Sequence, residues 1–118
     1  MAYVQGLVAA VPVENREAYQ KHSEKVGAEL REHGALGMVE CWGVDIPDGK
    51  VTSFPLAVKR EEGEGVVFSW ISWPSKEVCD RAWKKVRASG GFRCGDIPEL
   101  FDGRRMIFGG FEVFVDVQ

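Results

Sequence analysis

The chain has 118 residues, 45% of them hydrophobic and 28% charged. That is the balance of one ordinary globular domain spanning residues 1–118. Its 18 acidic and 15 basic residues leave a net charge of −3, which gives no electrostatic footprint for nucleic acid or an anionic membrane. No apolar run approaches the roughly 20 residues of a membrane helix. The start, Met1 to Gly6, lacks the basic n-region of a secretory signal. The expectation is a cytoplasmic protein.

Tyr3–Val11 reads as a first strand, closed by Pro12. Asn15 is a good N-cap residue for a helix beginning at Arg16. From Arg16 to His33 the spacing is helical, with Ala18, Tyr19, His22, Val26, Leu30 and His33 on one stripe. Gly34 stops the helix in the C′ position. Met38–Ile46 predicts a second strand. Met38, Glu40, Trp42, Val44 and Ile46 share one face, and Val39, Cys41 and Asp45 the other. Pro47-Asp48-Gly49 signals a turn. Phe54–Lys59 reads as a short extended run and Arg60–Gly65 as a solvated connection.

Val66–Trp73 (VVFSWISW) is the most telling segment. One face carries Val66, Phe68 and Trp70, the other Val67, Ile71 and Trp73. Ser75 caps a second helix with Glu77 in its first turn. Its apolar stripe is Val78, Cys79, Ala82, Trp83 and Val86, and Ser89-Gly90-Gly91 ends it. Phe92–Arg104 reads as a loop, with a turn at Phe101-Asp102-Gly103. The last strand runs from Arg105 to about Val115, and Gly109-Gly110 within it suggests a bulge or a close backbone approach.

This order predicts an α+β fold, the ferredoxin-like βαββαβ subunit with two helices on one face of an antiparallel sheet. The connection after the second strand is awkward. A separate strand at Phe54–Lys59 would reverse the direction of Val66–Trp73. The resolution favoured by the sequence treats Pro47–Ser53 as an excursion within one long second strand. Phe54–Lys59 is then the hairpin partner of Val66–Trp73.

Two helices cover only one face of such a sheet, and the other keeps large apolar residues. Monomers seldom expose contiguous apolar patches beyond a few hundred Å², so a second copy presenting the same face is the expected cover. The competing arrangement folds the C-terminal segment or the Phe92–Arg104 loop over that face.

Three stretches carry a family resemblance: Val39–Phe54 (VECWGVDIPDGKVTSF), Val66–Val78 (VVFSWISWPSKEV) and Phe101–Glu112 (FDGRRMIFGGFE). They resemble the YbaA-like bacterial family, a domain of unknown function numbered 1428, from Tyr3 to about Asp116. The resemblance implies a ferredoxin-like subunit pairing sheet to sheet as a dimeric α+β barrel. It implies no established activity. Relatives in the wider superfamily often bind small aromatic molecules between helices and sheet. Haem-degrading relatives place a histidine on the second helix, and none stands there in this chain.

Candidate chemistry is sparse. The two histidines, His22 and His33, lie eleven residues apart on one helix, roughly 16 Å along its axis, too far to share a metal. No metal-ligand spacing appears, and neither a metal nor a cofactor is expected. The three cysteines, Cys41, Cys79 and Cys94, are unpaired by count and suit a reducing compartment. Cys41 and Cys79 read as buried, and Cys94, beside Arg93, as the exposed thiol. Glu40 alternates with Met38 and Trp42, so its carboxyl should have a raised pKa and is the candidate catalytic base. The competing readings pair it with Arg104 or Arg105, or make it a polar position at a sheet edge. Asp45 and Glu112 are weaker versions of the same argument. His22 is the candidate proton carrier, against packing at the sheet margin. Trp42, Trp70, Trp73 and Arg105 are the candidate ligand-binding residues. Phe68 and Trp70 are spaced like the stacking aromatics of an RNA-binding sheet, but Glu62-Gly63-Glu64-Gly65 precedes them where phosphate contact needs bases. The expected function is binding of a small apolar or aromatic molecule in a helix–sheet cavity, with cofactor-free chemistry at Glu40. The alternative is a non-catalytic dimeric or stress-related binding module, and RNA binding comes third.

Overall fold

The computed structural model describes residues 2–89 and 100–118. Four strands form one antiparallel sheet: β1 (Tyr3–Pro12), β2 (Gly37–Trp42), β3 (Glu64–Trp73) and β4 (Ile107–Glu112), in the spatial order β2-β3-β1-β4. Helix α1 (Arg16–Glu32) links β1 to β2, a short helix α2 (Phe54–Ala57) lies between β2 and β3, and α3 (Lys76–Ser89) follows β3. The crossovers through α1 and α3 each skip one strand, the split βαβ arrangement of a ferredoxin-like subunit.

Both long helices lie on one face. Leu30 of α1 and Cys79, Ala82 and Val86 of α3 pack on Ile71 and Trp73 of β3. A second cluster joins Ala9, Val11, Tyr19, Val67 and Phe101. The alternation expected along β3 holds: Val67, Ser69, Ile71 and Trp73 are buried on the helix side, whereas Phe68 is 45% exposed on the other. Gly34 ends α1 with φ +115°, a left-handed value suited to glycine. Ser75 caps α3, its Oγ accepting from the Val78 N–H at 3.2 Å.

The connection between β2 and β3 differs from expectation. β2 stops at Trp42, and Val44 beyond it is almost fully exposed. Phe54–Ala57 forms helix α2, not a strand. Ser53 caps it by accepting from the Leu56 N–H at 3.1 Å, and Pro55 sits in its first turn, where a missing N–H costs nothing. The hairpin partner of β3 is β2 itself, with Gly37 opposite Ser72 and Trp42 opposite Val67. With no strand at 54–59, the direction of β3 needs no excursion. The 43–63 connection instead crosses the face away from α1 and α3, where Val58 packs with Val8, Ala10 and Val66.

Asn15 also behaves differently. A 3₁₀ turn over Val13–Asn15 leads into α1, and the Asn15 side chain makes no cap bond. Its Nδ2 donates to the Leu100 carbonyl at 2.9 Å, tying the helix start to the approach to β4. Ala18, assigned to the inner stripe, is exposed. In β4 the pairing with β1 runs without a bulge. Gly110 is a close approach, because a Cβ there would overlap the Tyr3 hydroxyl.

Candidate functional site

Glu40 projects from β2 toward the helices, in line with Ser69 of β3 and Leu7 of β1. Tyr19 and Ser23, one turn apart on α1, reach down to it. The Tyr19 hydroxyl donates to Oε1 at 3.0 Å and the Ser23 hydroxyl to Oε2 at 3.0 Å. Ser69, 2% exposed, adds a third hydroxyl contact. Burial raises the Glu40 carboxyl above its ordinary range, and the Ser23, Tyr19 and Ser69 hydroxyls offset only part of this. Burial and the neighbouring carboxylate also raise the Tyr19 phenol. Tyr19 therefore stays a hydrogen-bond donor at physiological pH.

The expected pairing of Glu40 with Arg104 or Arg105 does not occur. Arg105 grips Glu64 instead, with Nη1 to Oε1 at 2.8 Å and Nη2 to Oε2 at 2.7 Å. It also bonds Asp102 and the Lys59 carbonyl. Glu64, expected in a solvated connection, is 7% exposed at the head of β3. Its Oε1 also accepts from the Glu61 N–H at 2.8 Å. Arg105 is thus held as a structural clamp and is absent from the linings of the two cavities beside Glu40. Sequence reasoning misses Glu64 because a run of charges normally marks solvent.

Two cavities meet at Glu40. One, about 560 Å³, opens at the free edge of β2 beneath α1, and Arg16, Arg31, Met38 and Trp42 line it. The Arg16 guanidinium lies over the Trp42 ring at 4.8 Å. Gly27 permits the close approach of α1 to β2, since a Cβ there would press on Met38. The other cavity, about 890 Å³, lies between α1, α3 and the sheet, within the usual size range of small-molecule sites. Its lining is largely apolar: Leu7, Val26, Ile71, Trp83, Phe101, Met106 and Phe108. Tyr19, Ser23, Met38 and Glu40 line both.

The structure brings Glu40, His22 and Trp42 to these cavities. Trp73 is fully buried beneath them, and Trp70 stands on the opposite face beside Phe68, ring centroids 5.5 Å apart. Asp45 and Glu112 are exposed. Cys79 is buried, and desolvation pushes its thiol up to about 11. Cys41 is half-buried, and Cys94 lies outside the described residues. Trp83, expected on the apolar stripe of the helix, lines the larger cavity, and Gln5 is a cavity residue that sequence reasoning does not single out. Gln5 carries the same signal as Glu40, a polar residue among inward-facing Tyr3, Leu7, Ala9 and Val11. Among the described residues no three metal-ligating side chains converge, and no helix is long and apolar enough to cross a membrane.

Comparison with known proteins places this geometry. A solved structure from an uncultured marine organism, described as a dimeric ferredoxin-like protein, matches 99% of this chain and 97% of its own, with a TM-score of 0.58 at 9% identity. That likeness shows the fold. The curated Uncharacterized protein YbaA of Escherichia coli strain K12 is 50% identical over 116 residues, covering 98% of this chain and 99% of the relative. YbaA of Shigella flexneri matches equally well. The family model described as Protein of unknown function (DUF1428) matches residues 2–103. With that match and half-identity to YbaA over nearly its whole length, the chain belongs to the DUF1428 family.

Proposed function

We propose that the protein binds a small, flat, largely apolar molecule in the 890 Å³ cavity, with Glu40 as its polar anchor. One observation carries this. A carboxyl group is held in the cavity wall by hydroxyls, with no cation among its partners in the described residues. Burying a carboxylate without a counter-charge is costly, and a fold has little reason to keep one unless it meets a ligand. Aromatic and aliphatic walls bind the body of the ligand, and Glu40 accepts a hydrogen bond from its hydroxyl. The test is ligand-observed NMR with simple phenols such as 4-ethylphenol. Wild-type protein binds, and Glu40→Gln weakens binding about tenfold, the scale of one lost charge-assisted hydrogen bond. Equal binding by the variant overturns the assignment.

The catalytic reading of the same site is favoured by the raised basicity of Glu40. A carboxylate of higher pKa is a better general base near neutrality. Bound ketones would then exchange acidic C–H hydrogens with deuterated solvent faster than in buffer, and Glu40→Gln would abolish the gain.

The second copy belongs to the other face. Val39, Phe68, Ile107 and Phe111 are each more than 40% exposed there, beside half-buried Trp70. Phe54 of α2 continues the patch, its ring 6.1 Å from that of Phe68. The marine ferredoxin-like protein, described as dimeric, supports pairing through this fold. Sedimentation of wild type as a dimer, and of Phe68→Asp as a folded monomer, is the expected result. A wild-type monomer at micromolar concentration overturns it.

A further inference from the structure

The larger cavity holds a second polar fixture opposite Glu40. Gln5 enters it from β1. Its side-chain oxygen accepts from the Trp73 indole nitrogen at 3.0 Å and from that of Trp83 at 2.8 Å. An indole nitrogen only donates, so the atom facing both rings is the oxygen. Two indoles thus fix the orientation of the amide. Its NH₂ group, with two donors, is turned away from them, and it makes no hydrogen bond among the described residues.

Strand register sets the span. Gln5 is opposite Ile71, which is opposite Met38, whereas Glu40 is opposite Ser69 and Ser69 opposite Leu7. The two residues are therefore two strands and one pleat step apart, about 12 Å between Cα atoms. Both side chains leave the same face, and a gap of that order takes one substituted ring plus a hydrogen bond of about 2.8 Å at each end. Ile71 and Ser69 of the intervening strand β3 lie between them, with Leu7, Trp83 and Phe101 among the walls. One end of the slot accepts a proton or hydrogen bond. Toward the other end the Gln5 amide donates, and Asp80 and Arg87 of α3 also line the cavity.

Resting on the reading of this cavity as a ligand site, the geometry points to a specific class of ligand: a neutral, planar hydroxyaryl carbonyl compound. Its hydroxyl donates to Glu40, and its carbonyl oxygen accepts from the Gln5 amide. A carboxylate placed at the Glu40 end would meet a like charge, and an amine placed at the Gln5 end would meet donors rather than an acceptor. An isostere lacking the carbonyl oxygen leaves the amide donors facing an apolar group, which a site built this way rejects.

The test uses 4-hydroxyacetophenone and 4-ethylphenol, which differ by that oxygen. Wild type binds the ketone about tenfold more tightly. Gln5→Glu retains an oxygen for both indoles and removes the amide donor, so it erases the preference for the ketone. Glu40→Gln weakens both. In wild type, the Gln5 side-chain NH₂ proton resonances shift on adding the ketone and not on adding 4-ethylphenol, a readout that does not depend on a variant folding. Equal affinity for the two compounds in wild type, a preference that survives Gln5→Glu, or an unmoved Gln5 resonance overturns this inference. Retained binding of 4-ethylphenol then leaves the cavity reading intact. Failure of folded wild type to bind either compound overturns both.

Discussion

Glu40 and Glu64 are two shielded carboxyls on adjacent strands of one sheet, and their neighbours give them opposite character. Glu64 meets a guanidinium that bonds both oxygens, and Arg105 holds its carboxyl below the usual range. Glu40 meets three hydroxyls, and burial holds its carboxyl above that range. A hydroxyl satisfies a hydrogen bond but does not neutralise a charge. The first arrangement closes a corner of the fold, joining the 59–64 connection, β3 and the turn before β4. The second leaves negative charge poised at a cavity. The difference separates a residue tied into the architecture from one held at the wall of a cavity.

The strongest way to break this contrast is to remove the guanidinium. Arg105→Ala leaves Glu64, with its side chain 8% exposed, as an uncompensated charge. It also removes the contacts to the Lys59 carbonyl and to Oδ2 of Asp102, whose Oδ1 keeps Arg104. The expected cost is about 3 kcal/mol of unfolding free energy, read from a denaturant melt. Arg105→Lys recovers only part, because an ammonium cannot reproduce the two-pronged contact. A loss below about 1 kcal/mol would make the clamp an incidental surface pair.

A smaller effect tests Glu64 by pH. Its pKa is lower in the folded state, chiefly because of the hydrogen bonds from Arg105. The stabilisation is therefore present above the ordinary glutamate range and disappears as pH falls through the lowered folded value. Wild type should lose thermal stability between about pH 5 and 3. Glu64→Gln should start lower at pH 7 and fall less steeply over that interval. Parallel curves would show that other carboxyls carry the acid limb. Asp102 contributes with the same sign, held down mainly by Arg104.

How much of this contrast the sequence reveals depends on the range of the interactions. Glu40 stands out because strand alternation is local: it interrupts Met38 and Trp42 on one face. Gln5 is visible by the same rule on β1, but the apolar run after it dominates the pattern. The two helices, the caps at Ser75 and Gly34, and the two faces of Val66–Trp73 follow from spacing of a few residues. Helix α2 is also legible, since Ser53 followed by Phe54-Pro55 is a helix-start signature, but the aromatic and the proline equally suit an extended run. The partners of the carboxyls are another matter. Arg105 is 41 residues from Glu64, and the Asn15 contact with Leu100 spans 85. No local pattern distinguishes Arg105 beside Glu64 from Arg105 beside Glu40. Only the strand order decides it.

The smallest expected effect is the sharpest test of Glu40. Its pKa is raised on folding, mainly by burial, so the folded state holds the proton more tightly than the unfolded chain does. That contribution is fully present below the ordinary glutamate range and is lost as pH rises through the folded value. Tyr19, Ser23 and Ser69 face the carboxyl directly; His22, Asp80 and Arg87 share its cavity. Glutamine is neutral at every pH and can still accept one of the hydroxyl bonds. Glu40→Gln should therefore melt close to wild type at pH 4 and above it at pH 8, with the gap widening between them. This is the reverse of Glu64→Gln, which loses stability in the same range. A Glu40→Gln protein less stable than wild type at pH 8 would mean that the carboxylate is neutralised in the fold, and Glu40 would then be a second Glu64 rather than the polar anchor of a binding site.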